Sequence, residues 1–383
     1  MKLSKKIILS VFLLVTCLSL CACAVVEQRN ILPEAPSFVS DAAEPIQPAE
    51  ELSARGLSYD ELTGLSRRTW LKKLVTDGST EYDAFLYLRS VLPECDIHWT
   101  YELNGQTYDD SITELSVDTT DGLMEALHCL PDVKTVDMTS FTPDTEALDS
   151  LIAAYPQVQF LFYVHFGEWT VRSDITCFST LRPSKVYEAD RYTSADLYPL
   201  FKYCKHLRAL DCGHNYLDDL TELGTLTELQ VLILADNREI TDISPLGNLV
   251  NLEYLELFLN SHTFDYTVFN KLTKMKDLDL CYLHGLKDIS FIDNMPDLEM
   301  FWLRGTAVPS AMVKEYMAKY PNVKFHYTCS FTSSTCHGWR TSEDNLAVRK
   351  ALRNWWSVNE FRSMDDVEYD PYDELVIPEP SLY

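Results

Sequence analysis

Between residues 207 and 306 the apolar positions recur with a spacing that suits neither a continuous helix nor an isolated strand. "LRALDCGHN" begins at Leu207, "LQVLILADN" at Leu229, "LEYLELFLN" at Leu252, "MKDLDLCYL" at Met275 and "LEMFWLRGT" at Leu298. The starts are 22, 23, 23 and 23 residues apart. Within each segment an apolar-x-apolar pair has the two-residue period of a strand, which sends the apolar side chains to one face. Only about a dozen residues remain for the chain to come back. "REITDISPLGNLVN" does this with Ile240, Ile243, Leu246 and Leu249 inward, Asp242 and Ser244 as turn formers and Pro245 pre-setting a bend. A single turn of such a coil cannot bury its own leucines, so the pattern predicts stacked turns, with one short parallel strand from each.

The spacing is LxxLxLxxN, that of the leucine-rich repeat. The turn from Leu229 to Leu252 resembles the internalin type of bacterial leucine-rich repeat, in which "ITDISPL" recurs. "LKDISFIDNMPDL" keeps Asp288-Ile289-Ser290 and has Phe291 in place of proline. The resemblance covers residues 207–306. It implies an α/β solenoid with a parallel concave sheet and mixed helical and irregular convex returns. The sequence contains neither an LPxTG motif nor an immunoglobulin-like region, and host-cell invasion is not carried over from the resemblance.

Weaker turns extend the coil. Leu115-Ser-Val117 and Val136-Asp-Met138 lie 21 residues apart, and Val323-Lys-Phe325 follows Phe301-Trp-Leu303 by 22. Helical periodicity is expected over 79–92, 146–155, 194–206, 311–320 and 345–356. "PECDIHWTYELNGQTYDDSIT" and "PQVQFLFYVHFGEWTVRSDIT", from Pro93 and Pro156, share a second layout: alternating apolar residues, then a turn at Asn104-Gly105 or Gly167. These predict β-hairpins, either inserted in the solenoid or capping it. A third start, "PNVKFHYTCSF" at Pro321, stays incomplete.

The N-terminus "MKLSKKIILSVFLLVTCLSLCACAVV" combines three lysines with an apolar run, as a secretory signal does. It can be cut at Ala22-Cys23-Ala24, lipidated at Cys23 through the lipobox-like Leu20-Cys21-Ala22-Cys23, or retained as an anchor. Each route leaves the folded part outside the cytoplasm, with a membrane lipoprotein favoured over free secretion. The expected organisation is a signal (1–23), a Pro/Ala/Glu-rich disordered tether (24–56), an N-terminal helical cap (57–94), the solenoid (95–328) and a C-terminal segment with an acidic tail (329–383). The chain has 383 residues and a formal net charge of −26. So acidic a protein does not attract nucleic acid; basic proteins, cationic peptides or divalent ions suit it better. Of the 11 cysteines none forms a CxxC pair, and Cys329 and Cys336 are near enough in sequence to bridge a small loop.

No catalytic constellation is recognisable: HExxH, GxSxG, Walker and GxGxxG patterns are missing, and Cys336-His337 are sequence neighbours that rarely face each other usefully. No enzyme activity and no cofactor are expected. Asp218, Asp219, Asp242 and Asp288 sit where repeats need turn formers, so no metal is assigned to them. The positions beside the inward leucines face the concave side. They are Val231, Ile233, Tyr254, Glu256, Phe258, Asp277, Asp279, Cys281, Met300, Trp302 and Arg304. If open, they make an aromatic patch with carboxylates, suited to a protein or peptide carrying Lys or Arg. If covered by the C-terminal segment, they make none. Stacking on sugar rings, and a purely structural role in the cell envelope, are the other readings.

Overall fold

The computed structural model describes residues 49–180, 191–260 and 263–327. Cys23, Cys329, Cys336, the expected helix at 345–356 and the acidic tail lie outside them. The chain separates into units 1–52 and 53–383; the solenoid belongs to the second.

The inward leucines do line up. Seven parallel strands follow one another in chain order: β11 (Cys177–Ser179), β12 (Ala209–Asp211), β13 (Val231–Ile233), β14 (Tyr254–Glu256), β15 (Asp277–Asp279), β16 (Met300–Trp302) and β17 (Lys324–His326). Their register stacks Phe178, Leu210, Leu232, Leu255, Leu278, Phe301 and Phe325 in one column. The first six of these are buried, and they belong to a single core running from Tyr101 to Tyr316. Each rung thus hides its neighbour's apolar edge, which no rung can do alone. The last rung differs from the expected alignment. Phe301 pairs with Phe325, not Val323. Such a two-residue slip keeps every side chain on its face.

The asparagines that close the strands form a ladder. Asn237 Nδ2 donates to Cys212 O (2.9 Å) and Leu234 O (3.1 Å), while its Oδ1 accepts from Leu217 N (3.1 Å). Asn260 Oδ1 accepts from Asn237 N at 2.9 Å. The residue before each closing position sits in the left-handed region: His214, Asp236, Leu259, Tyr282 and Gly305. The chain turns out of the strand there, and the ladder satisfies the backbone groups left by the turn.

The returns divide into two kinds. From Leu223 to Asn294 they are short 3-10 turns, Leu223–Thr225, Ser244–Asn248, Tyr266–Lys271 and Ser290–Asn294. Elsewhere they are α-helices, the first of them continued by a 3-10 turn at Leu65–Arg67: α1 (Tyr59–Gly64), α2 (Tyr82–Val91), α3 (Leu123–Cys129), α4 (Thr145–Ala154), α5 (Ser194–Tyr203) and α6 (Ser310–Lys319). Asp144 caps α4 by accepting from Glu146 N and Ala147 N, and Thr193 with Asp196 forms a capping box on α5.

β1 (Glu51–Ser53) precedes two further parallel sets. One pairs β2 (Lys73–Val75) with β3 (Asp96–His98), so the segment expected to be a helical cap also carries a rung. The other contains β6 (Glu114–Ser116), β7 (Thr135–Asp137) and β8 (Gln159–Leu161). The two hairpins are insertions at the breaks between the three sheets. The first joins β4 (Thr100–Leu103) to β5 (Gln106–Asp109) through Asn104-Gly105, both at positive φ. The second joins β9 (Tyr163–Phe166) to β10 (Trp169–Arg172). Each follows a rung directly, so the next rung cannot pair with it.

Candidate functional site

The long sheet brings the concave residues together in the expected rows: Val231, Tyr254, Asp277 and Met300 in one, Ile233, Glu256, Asp279 and Trp302 in the next. The face is not open. Val231, Ile233, Tyr254, Glu256, Phe258, Asp277, Asp279, Cys281 and Trp302 are all buried; Trp302, the most accessible of them, is 6% exposed. Met300 and Arg304 are half-buried. Alternation along a strand settles which face a side chain leaves from, but not whether that face meets water. Rungs about 4.8 Å apart also press like positions together. Trp302 Nε1 donates to Asp277 Oδ1 (3.0 Å), and the Trp302 ring stacks on His326 at 3.7 Å. Tyr254 OH approaches Glu256 Oε2 at 3.5 Å, and Asp279 Oδ1 accepts from Cys281 N at 2.8 Å. Arg304 lies over the Tyr282 ring, 5.3 Å from its centre.

At the edge of this face Asp236 takes a hydrogen bond from Arg238 Nε (2.6 Å) and lies 3.3 Å from His214 Nδ1. Burial alone would raise its carboxyl. The bonds from His214 and Arg238 outweigh burial and hold it below the usual range.

The corresponding face of the middle sheet is accessible. Glu114, Ser116 and Gln159 are exposed there, and Thr135, Asp137 and Leu161 are half-buried. Beside it the first hairpin and the middle sheet's edge border a half-open cleft of about 340 Å³, lined by Leu103, Asn104, Gln106, Tyr108, Ser116, Val117, Asp118 and Ser140. Asp137 is held below the usual carboxylate range by hydrogen bonds from Thr139, side chain first and then backbone. Arg172 stands near Asp137 but is paired with Asp174 (2.5 Å). The trough therefore carries Glu114, Asp118 and Asp137 with no cation reserved for them among the described residues. These positions are the x residues around Leu115 and Val136, so the repeat pattern that located the long sheet's face also locates these. Sequence reasoning passed over them because the rungs are less regular.

One group of potential metal donors occurs among the described residues: His98, Asp109 and Asp110, with donor atoms within 4.8 Å of one another. Its chemistry is that of an anchored hairpin. Asp110 is fully buried, pairs with Arg89, accepts from Trp99 N (2.9 Å) and lies 3.2 Å from His98 Nδ1. An arginine already fills the cation's place. Three of the four acids considered in the repeats are turn formers: Asp242 accepts from Ser244 N (2.8 Å), Asp288 from Ser290 N (2.9 Å) and Asp219 from Thr221 N (2.8 Å). The six cysteines among the described residues are buried thiols.

No protein-family model matches the chain, and no curated protein does. Among solved structures it is similar to internalin C2 of Listeria monocytogenes, at 21% identity and a TM-score of 0.30, over 59% of this chain and 87% of that one. A second internalin of the same organism, inlF, is 20% identical with a TM-score of 0.29, over 71% and 85% of the two chains. A leucine-rich-repeat protein of Leptospira interrogans is 13% identical with a TM-score of 0.31, over 69% and 74%. The rungs and their register identify this chain as a leucine-rich-repeat solenoid of α/β class, broken into three parallel sheets by two inserted hairpins.

Proposed function

We propose that this is an exported, membrane-anchored protein that binds a protein or peptide partner and catalyses no reaction of its own. The observation that carries the reading is the accessible trough of the middle sheet. Its carboxylates, Glu114, Asp118 and Asp137, favour an extended partner segment bearing Lys or Arg. The ten concave positions of the long sheet, Val231, Ile233, Tyr254, Glu256, Phe258, Asp277, Asp279, Met300, Trp302 and Arg304, remain partner-binding candidates only where a partner can reach them. Burial makes them the weaker choice.

The test uses the full chain and an array of synthetic peptides carrying Lys or Arg at alternate positions. Glu114→Lys with Asp118→Lys should lower affinity about tenfold or more, since each unfavourable close charge is worth about 1 kcal/mol near a surface. A control of equal charge, Asp60→Lys with Glu94→Lys, should leave most of it, because both acids are exposed and lie outside the trough. Equal loss in the two variants would mean undirected attraction to an acidic protein and would refute the site. The amide-and-ring lining of the adjoining cleft, Asn104, Gln106 and Tyr108, supports glycan binding as a second reading. A silent glycan array would dispose of it. Export and lipidation are tested separately, by mass spectrometry of the mature N-terminus: a diacylated Cys23 is expected, and an uncleaved Met1 refutes anchoring by that route.

A further inference from the structure

Two walls of different origin border the cleft beside the middle sheet. One is the first hairpin, which is fastened to the return helix α3. Trp99 Nε1 donates to Cys129 O (2.7 Å), and Leu103 packs so near Gly122 that a Cβ there would stand 3.3 Å from Leu103 Cδ1. The other wall is the end of β6, tied to the next rung where Val117 N donates to Asp137 O (3.0 Å). Neither wall needs a ligand to hold its place, so the cleft is preformed.

Its lining has one chemical bias. Leu103 and Val117, 4% and 9% exposed, make an apolar floor, and the half-buried Tyr108 adds a ring. The exposed rim offers acceptors: the Asp118 carboxylate and the amide oxygens of Asn104 and Gln106. Ser140 Oγ already donates its proton to Val117 O (3.0 Å), so it presents lone pairs alone. None of the eight lining residues is cationic. An apolar floor under an acceptor rim suits a methylene stem with a positive, donor-only head. Arginine's planar fork is made for a single carboxylate met edge-on. Here the acceptors come from both walls, which the three diverging protons of an ammonium can meet. At about 340 Å³ the cleft is at the lower end of ligand-sized pockets, room for one long side chain with its water.

We propose that this cleft is the anchor pocket for one lysine side chain of the partner, with its ammonium on Asp118 and Ser140 Oγ and its stem along Leu103, Val117 and Tyr108. The assignment rests on the trough reading above and names the partner residue that the trough depends on most. The partner's main chain then crosses the row Ser116, Asp137 and Leu161, which the register sets side by side.

The experiment uses the full chain and a lysine peptide that binds it on the array, with each lysine replaced in turn by Nε-acetyl-lysine. Acetylation removes the charge and leaves one N–H. At one position it should raise Kd about tenfold, as loss of a charge-assisted hydrogen bond does, and at the others less than about threefold, read by fluorescence anisotropy. In Asp118→Asn the same acetylation should raise Kd less than about threefold, because the anionic half of the pair is already gone. Ser140→Val gives a second measurement: it should weaken the lysine peptide more than the acetylated one. Both residues are exposed, and circular dichroism should show native folds. Equal loss at every lysine, an undiminished loss in Asp118→Asn, or binding by arginine peptides alone overturns the pocket. The trough reading survives those outcomes if Glu114→Lys with Asp118→Lys still abolishes binding while the control pair does not. If that contrast vanishes, or no peptide binds, the trough reading falls and takes the pocket with it.

Discussion

Replacing Asn237 with alanine tests the ladder that joins the rungs. The amide is fully buried and makes four side-chain hydrogen bonds: three donated by Nδ2, to Cys212 O, Leu234 O and Ala235 O, and one accepted from Leu217 N. The three carbonyls keep other donors, since Cys212 O receives Asn215 Nδ2, Leu234 O receives Asn260 Nδ2 and Ala235 O receives His214 N. Only the Leu217 N–H is orphaned. One buried orphan costs about 1–3 kcal/mol and the remaining net losses about 1 kcal/mol, so Asn237→Ala should cost about 2–4 kcal/mol. Asn237→Asp keeps the acceptor for Leu217 but turns a second oxygen toward carbonyls about 3 Å away. At neutral pH it should be less stable than the alanine variant. Its folded-state pKa must then exceed the unfolded value near 3.9. The penalty is absent below the unfolded pKa and grows as pH rises through that value toward the folded one. Urea denaturation followed by circular dichroism gives the stability, and hydrogen exchange at the Leu217 amide gives the local effect. The reasoning is falsified if alanine costs under about 0.5 kcal/mol or if aspartate at neutral pH matches the native chain.

The other expectations concern packing, thiols and the buried acid. A Cβ on Gly224 would stand 2.7 Å from Pro245 Cβ and 2.8 Å from Pro245 O, so Gly224→Ala should cost about 1–3 kcal/mol in thermal unfolding. Gly64→Ala, with nothing within 4 Å and helical backbone, should stabilise by about 0.5–1 kcal/mol. Burial pushes the Cys177 thiol up to about 12, and burial followed by Glu125 and Asp83 pushes Cys129 to about 11. Iodoacetamide at pH 8 should therefore miss both until the chain unfolds. Their folded pKa values lie above the unfolded thiol's, so stability falls as pH climbs from about 9 toward these values; unchanged stability to pH 11 would contradict it. Arg89→Met should cost about 3–5 kcal/mol by leaving the buried Asp110 carboxylate without its arginine, with only His98 and the Trp99 N–H beside it. Asp110→Asn, which can still accept from Trp99 N, should cost less; the reverse order in urea midpoints would refute the assignment.

The repeat was legible because its constraint is local and periodic. A leucine every two or three residues with an asparagine after it serves one purpose, and the strands from β12 to β16 fall where that spacing put them. The hairpins were legible for a similar reason: Asn104-Gly105 supplies positive φ, and few other pairs do so cheaply. The break into three sheets was not legible, nor was the rung at Lys73–Val75. A three-residue strand carries too little pattern to announce its partner, and whether an inserted hairpin caps a coil or interrupts it depends on where the following rung docks.

The candidate site shows where sequence reasoning stops. Residue order alone determined that Tyr254, Glu256, Asp277, Asp279 and Trp302 share one face, because side-chain direction is a property of the strand itself. Tertiary structure decided that this face is buried while the humbler one at Glu114, Ser116 and Asp137 meets solvent. Accessibility is set by atoms far away in the chain, and no period of two or twenty-three residues encodes them.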